Sequence, residues 1–517
     1  MHLLTATSLR PLSSVSSLLM LALLATTAVS QAKPEPSPLF GDHAVLQRGC
    51  PVPVWGEAEP GEVVRVTFDG NSTEATADEQ GRWRVELPAM EAGESGDLVF
   101  TSDRGTVTSR DVLVGDVWLC GGQSNMERPV RLADDFEHVK ATATHPQIRQ
   151  FKVMPRATHK PRDEPKGMWM VCSPTTVEKF TAIGYFFARE LYDESHVPQG
   201  LINCTKGGTR IGSWMSQEAL SMDDSFDAIM QRWNETVAAY PQKMENYTRK
   251  MEAWKQAKAQ AEKTGAPFKE AMPRKPTGGP GSSNMPSGLY NAMAQPVLGY
   301  AVCAIIWYQG EANARFPDEY NSLLRGLIRD WREQAANKDV PFVIVQLPPF
   351  GKDDTRWWPV LREAQAKAAQ QMPDTFLVVT IDLSDGTDVH PTNKQAFADR
   401  VLRVIRAEIF EEDIPAYGPR ILSARQDGET MLVQLESDEN IVLMDSPDTW
   451  GAFEIAGKDH VFHPAQARLV DGKIHVSSSV VSEPLALRYA WRAGPHPILF
   501  SESGLPAAPF RTDSWTD

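Results

Sequence analysis

"WLCGGQSNMERP", residues 118–129, closes an apolar run that begins at Val112, breaks on Gly121 and Gly122, and then sets a small hydroxyl residue among amide side chains. An apolar run that stops on glycine and opens a polar segment reads as a strand, a tight turn and a helix start. Ser124 at that turn is either a nucleophile or a helix cap, and on this stretch alone the cap is the better reading, because serine is a favoured N-cap residue. The surrounding pattern bears on the choice. From Gly115 onward the apolar runs "VWLCGG", "QGLINCT", "AVCAIIWYQ", "PFVIVQLPP" and "TFLVVTID" alternate with long helical patterns. Such alternation predicts an open α/β sheet with helices on both faces, its site at the carboxyl ends of the strands.

Outward from that centre the pattern changes twice. From Pro38 to Val114, short alternating strands are separated by turns such as Glu59-Pro60-Gly61 and Asp69-Gly70, which predicts an N-terminal β-sandwich-like domain over 38–114. After Glu411, "DIPAYGPR" marks a boundary and short strands return, predicting a C-terminal β domain over 412–517. The α/β domain between them, 115–411, carries a helical insertion at about 217–285. It is rich in Lys, Glu and Gln, ends in "PRKPTGGPGSS", and reads as a solvated helical hairpin crossing the top of the sheet. The first 31 residues differ from the rest: Arg10, an apolar core from Leu18 to Ala25, then small residues to Ala32. They read as a signal peptide, which implies a secreted or periplasmic protein. No later segment offers about twenty uninterrupted apolar residues, so no transmembrane segment is expected in the mature chain.

The net charge of −15 over 517 residues argues against a nucleic-acid partner, which would need a basic face. Five cysteines without a C-x-x-C pair, and no two histidines at a metal-binding helical spacing, indicate neither a zinc site nor a dense disulfide framework. No metal or cofactor is expected. The 14 tryptophans exceed what packing needs, and aromatic rings commonly line sugar-binding clefts.

A serine hydrolase needs a nucleophile on a tight turn, a base held by a carboxylate, and donors aimed at the developing oxyanion. Ser124 supplies the first. "DLSDGTDVHPTNKQAF", residues 382–397, supplies the second: His390 follows a late strand, with Asp388 two residues earlier and Asp385 as the alternative carboxylate. Thr392 or Asn393 is placed to cap the next helix. "NCTKGGTRIGSW" sets Gly207 and Gly208 after a strand, where an unhindered N–H can face an oxyanion. "IIWYQGEANA" ends another strand in Gln309, Glu311 and Asn313, side chains able to donate or to organise donors. Trp214 and Trp307, beside these loops, are the tryptophans expected in the cleft.

In chain order, Ser124, Gly208, Gln309 or Asn313, and His390 resemble the four blocks of the SGNH (GDSL-like) hydrolase superfamily. The wording is closer still to the sialate O-acetylesterase-like carbohydrate esterases. The matching phrases include "LFGDHAVLQRGCPVPVWGEAEPGE", "GDVWLCGGQSNM", "GGTRIGSW", "GLYNAMAQPVLGY", "IIWYQGEANA", "DVHPTNKQ" and "GLPAAPFRTD", and they extend over nearly all of 38–513. The resemblance implies a three-layer αβα catalytic domain with a parallel sheet, flanked by the two β modules. It also implies metal-independent removal of acetyl groups from sugars through an acetyl-enzyme. Ser124 would be the nucleophile, His390 the base and Asp388 its orienting carboxylate. The N–H groups of Ser124 and Gly208 and the side chain of Gln309, with Asn313 the alternative, would form the oxyanion hole. Arg210, Trp214, Trp307 and Glu311 are the expected substrate-binding residues, and acetylated xylan or another polysaccharide and O-acetylated sialic acid are both open as substrates. Two departures stand out: Thr387 occupies the position where the superfamily often has its Asp, and Arg210 and Gly212 stand where the family often has proline and an acidic residue. The competing reading is an inactive carbohydrate-binding protein.

Overall fold

The strand Gly105–Gly122 is 18 residues long, and its two halves lie in different surroundings. The first half pairs antiparallel with Ser95–Ser102, and its residues alternate between exposed and covered. The second half pairs in parallel with Gln199–Thr205 on one side and Ala304–Tyr308 on the other, and every residue from Val112 on is buried. This is the physical difference between a sheet with one wet face and a parallel sheet covered on both. The structure, a computed structural model, describes residues 33–351, 357–444 and 452–515, so the expected signal peptide over 1–31 lies outside the described residues.

The central sheet is mixed. Its order is Trp169–Val171, Ile148–Lys152, Gln199–Thr205, Gly105–Gly122, Ala304–Tyr308, Phe342–Val345, Thr375–Val378, and the first of these is an antiparallel edge strand. All the others pair in parallel. Tyr320–Gln334, which buries Leu323, Leu324, Leu327, Ile328 and Trp331 at helical spacing, packs against Trp357–Gln371. Ala182–Ser195 packs against Lys394–Glu408.

The N-terminal strands form a three-stranded sheet (Glu35–Pro36, Val52–Glu57, Arg82–Leu87) and the antiparallel extension of the central sheet. Their apolar residues belong to the same continuous core as the α/β unit. The position 114/115, expected as a boundary, therefore lies inside one strand. The C-terminal strands have a separate core, joined by Ile381 from the chain that leaves the last parallel strand.

The insertion departs from expectation. In place of a hairpin there is one helix, Asp227–Thr264, of 38 residues with none buried, ended by Gly265 at φ 68°. The residues after it cannot form a returning helix because proline and glycine recur through "PRKPTGGPGSS". Among the described residues no helix is long and apolar enough to cross a membrane.

Candidate active site

The chain passes from Gly105–Gly122 to strands on one side of it and then crosses to Ala304–Tyr308 on the other, which makes the end of the long strand a topological switch point. Thr205 and Tyr308 both stand level with Gly122, so three loops leave the sheet at one height. Gly122 has φ 127°, and a Cβ there would lie 2.2 Å from the Tyr308 carbonyl oxygen; only glycine fits. Gln123 occupies the N-cap position and Ser124 is the first residue of the short helix Ser124–Glu127. Ser124 is therefore not the cap.

His390 lies in the loop between Thr375–Val378 and Lys394–Glu408, a helix capped by the Asn393 side chain. Its Nε2 is 2.8 Å from Ser124 Oγ. Burial and the positive charge of Arg128 hold His390 below its ordinary pKa of 6.5, outweighing the opposite pull of Asp388. At neutral pH the ring is uncharged and can accept the serine proton. Asp388 Oδ1 lies 3.9 Å from Nδ1 and accepts the His390 backbone N–H at 2.8 Å. Asp385 instead takes the Thr387 N–H and hydroxyl at 2.9 and 2.7 Å. Of the two carboxylates, Asp388 is the one beside the ring.

The donors sort themselves by what they already bind. Gly207 gives its N–H to Glu127 Oε2 at 2.6 Å. Gly208, at φ 70° with open space on its Cβ side, has no partner for its N–H among the described residues. The expectation for Gln309 is corrected. Its side chain is fully buried, and Nε2 faces the oxygens of Gln123 (3.1 Å), Thr209 (2.9 Å) and Asn313 (2.9 Å), while Oε1 accepts from Tyr320. Both of its N–H groups are committed. Asn313 Oδ1 accepts from Gln309 and from the Ile211 N–H, which turns Nδ2 away from both, and Asn313 lines the cleft beside Arg210.

Two of the expected substrate-binding residues are not at the surface, and a third, Glu311, is half-buried. Trp214 and Trp307 are both 0% exposed and pack edge to face at 6.1 Å. Trp307 also meets Trp331, and Trp214 donates Nε1–H to Thr209 Oγ1. A tryptophan in a parallel strand covered on both faces has no route to a cleft. Glu311 turns inward to Asn125 Nδ2 at 2.6 Å, and burial raises its pKa. Arg210 is exposed, lies over the Phe316 ring at 5.2 Å, and lines a cleft with Trp233 and Phe316.

Sequence reasoning missed the charge around Ser124. The pocket holding Ser124 and His390 is lined by Arg128, Arg131, Lys152 and Lys179, with Glu127 as its one carboxylate. These cations are scattered over 128–179 and converge only when Ile148–Lys152, one strand removed from the long strand across Gln199–Thr205, and the loop before Ala182 come together in the fold. It also missed Asn125 and Lys394, which lie beneath the Ser124–His390 pair. A lysine at the first position of a helix, against the dipole, was the available signal.

The family described as "Carbohydrate esterase, sialic acid-specific acetylesterase" matches residues 114–271 and 283–400. The sialate O-acetylesterase of Mus musculus is 26% identical over 505 residues, spanning 88% of this chain and 90% of that protein. That of Homo sapiens is 27% identical over 506 residues, spanning 88% of each. A crystal structure of a carbohydrate acetylesterase from Xanthomonas citri is 33% identical and superposes with a TM-score of 0.78, covering 93% of this chain and 100% of that one.

Proposed function

The chain belongs to the sialic acid-specific acetylesterase family of carbohydrate esterases, and from that premise we propose that it removes O-acetyl groups from an acidic sugar by a serine–histidine mechanism. The observation that carries this reading is the 2.8 Å contact between Ser124 Oγ and His390 Nε2 inside a pocket lined by four cations. Ser124 Oγ attacks the acetyl carbonyl as His390 takes its proton. His390 then gives that proton to the departing sugar oxygen, leaving Ser124 acetylated. A water, deprotonated by His390, attacks the acetyl-enzyme, and acetate leaves as the serine recovers its proton. Asp388, beside the ring, favours the imidazolium formed in each step. The oxyanion rests on the N–H groups of Ser124 and Gly208 and on Asn313 Nδ2, each such donor contributing about 3 kcal/mol in a preorganised site.

The cationic lining favours O-acetylated sialic acid over acetylated xylan, because a carboxylate-bearing sugar repays the cost of crowding four like charges. The two packed helix pairs are consistent with the three-layer arrangement of the SGNH hydrolases, with 115–411 as the catalytic domain between the β modules. The apolar stretch Leu18 to Ala25, read as part of a signal peptide over 1–31, supports secretion or delivery to a periplasm. Acetate release from 9-O-acetylated sialic acid, acetylated xylan and p-nitrophenyl acetate tests the reading. Wild type is expected to prefer the sialate, with all turnover lost in Ser124→Ala. Equal activity in Ser124→Ala would overturn the mechanism, and a preference for xylan would overturn the substrate.

A further inference from the structure

Asn125 directly follows the nucleophile, and its amide touches three other parts of the site. Nδ2 donates to the carbonyl oxygen of Val389, the residue before His390, at 2.9 Å, and to Glu311 Oε1 at 2.6 Å. Oδ1 accepts from Lys394 Nζ at 2.8 Å. Both hydrogens of the amide are thus used, and the residue after Ser124 is tied to the residue before His390 and to the loop that follows Ala304–Tyr308.

We propose that Lys394 is a positioning residue for the serine–histidine pair, acting by holding the Asn125 amide oxygen so that its NH2 group stays against Val389 and Glu311. An ammonium can only donate, so it must face the amide oxygen. That forces the NH2 group toward the Val389 carbonyl and the Glu311 carboxylate, both of which can only accept. With an apolar residue at 394, the Val389 carbonyl and the Glu311 carboxylate still set the orientation, but the buried amide oxygen loses its donor and the amide is braced from one side only.

The cost of this device is visible in the structure. Lys394 is 0% exposed, and among the described residues it has no ion pair; its Nζ donates to the Asn125 amide oxygen. Its other near neighbours are the faces of Phe397 at 5.0 Å and Tyr308 at 5.9 Å. Burial brings its pKa down to about 7, with Arg128 acting in the same direction and Glu311 and Asp388 opposing. A cation buried without a direct ion pair destabilises a fold, so packing alone does not account for it. Glu311 Oε2 is likewise buried without a partner among the described residues. Two unfavourable burials meet on one amide, 2.8 Å and 2.6 Å from it, directly beneath the reacting atoms.

The inference rests on the proposed serine–histidine mechanism, and loss of turnover in Ser124→Ala tests that mechanism separately. For Lys394→Met, p-nitrophenyl acetate turnover is expected to lose about 100-fold in kcat with KM within about 2-fold, since only the alignment of reacting groups changes. Asn125→Leu is expected to do the same, and the double variant to be no worse than the worse single one, because both remove one brace. A folded Lys394→Met with kcat within 3-fold of wild type, or losses that multiply in the double variant, overturns the proposal. Should Lys394→Met fail to fold, Asn125→Asp decides. It keeps size and the lysine contact but has no hydrogen for Val389 or Glu311, so a loss in kcat supports the brace and an unchanged kcat overturns it.

Discussion

Arg128 and Asp388 act on His390 in opposite senses, and that opposition is measurable. The ring must be neutral to accept the serine proton, so activity falls as pH drops through its pKa. Arg128 lowers that pKa and Asp388 raises it. Arg128→Gln is therefore expected to move the acid limb of kcat/KM to higher pH, and Asp388→Asn to move it lower. Asp388→Asn should also cost at least about 10-fold in kcat, against at most about 2-fold for Asp385→Asn, whose carboxylate is occupied by Thr387. Limbs moving the same way in both variants would show that another group controls the profile. Ser124 and His390 were legible in the sequence because each follows an apolar run in a short polar motif. Asn125, Arg128 and Lys394 were not, because residue type does not reveal that an asparagine or a lysine faces inward. Gln309 and Asn313 could not be separated by type either; only the positions of Thr209 and Gln123 show which amide is already engaged.

At the scale of elements, apolar runs located the strands, and the alternation of exposed and covered residues separated antiparallel from parallel ones. What they could not show is the side on which a large ring lies when both faces are covered. Trp307 belongs to such a strand, so its replacement is a core truncation. Trp307→Ala is expected to lower unfolding stability by about 3–5 kcal/mol, read from denaturant titration, through lost contacts with Trp214 and Trp331. Trp233, on the 38-residue helix and lining the cleft with Arg210, is the contrasting case. Trp233→Ala should leave stability within about 0.5 kcal/mol and raise KM for a glycan substrate while sparing p-nitrophenyl acetate. The same KM in both variants would mean that this cleft does not hold sugar. The single helix was misread as a hairpin because its helical spacing was plain, whereas the irregular return carries no period at all.

For the whole molecule, the expected junctions near 114 and 411 lie where chain composition changes, but neither is a clean physical seam. The first falls inside the strand that leads to Ser124. The second separates two cores that are still joined by buried polar contacts. Arg362, fully buried, donates to the carbonyl oxygens of Arg492 and Ala493, and burial brings its pKa down to about 9. Phe350 N–H reaches the Ala493 carbonyl at 3.0 Å, and the next residue, Gly351, donates to Gly386 O at 3.0 Å, four residues before His390. The C-terminal module thus seats the segment from which His390 projects. A chain ending at 411 would remove both of those acceptors from Arg362 and would uncover Ile381. Such a chain is expected to lack a cooperative near-UV circular dichroism transition and to hydrolyse no p-nitrophenyl acetate, while the full chain unfolds with both cores together. Wild-type kcat in the truncated chain would mean that the C-terminal module is a passenger, and that the His390 loop is held by the α/β unit alone.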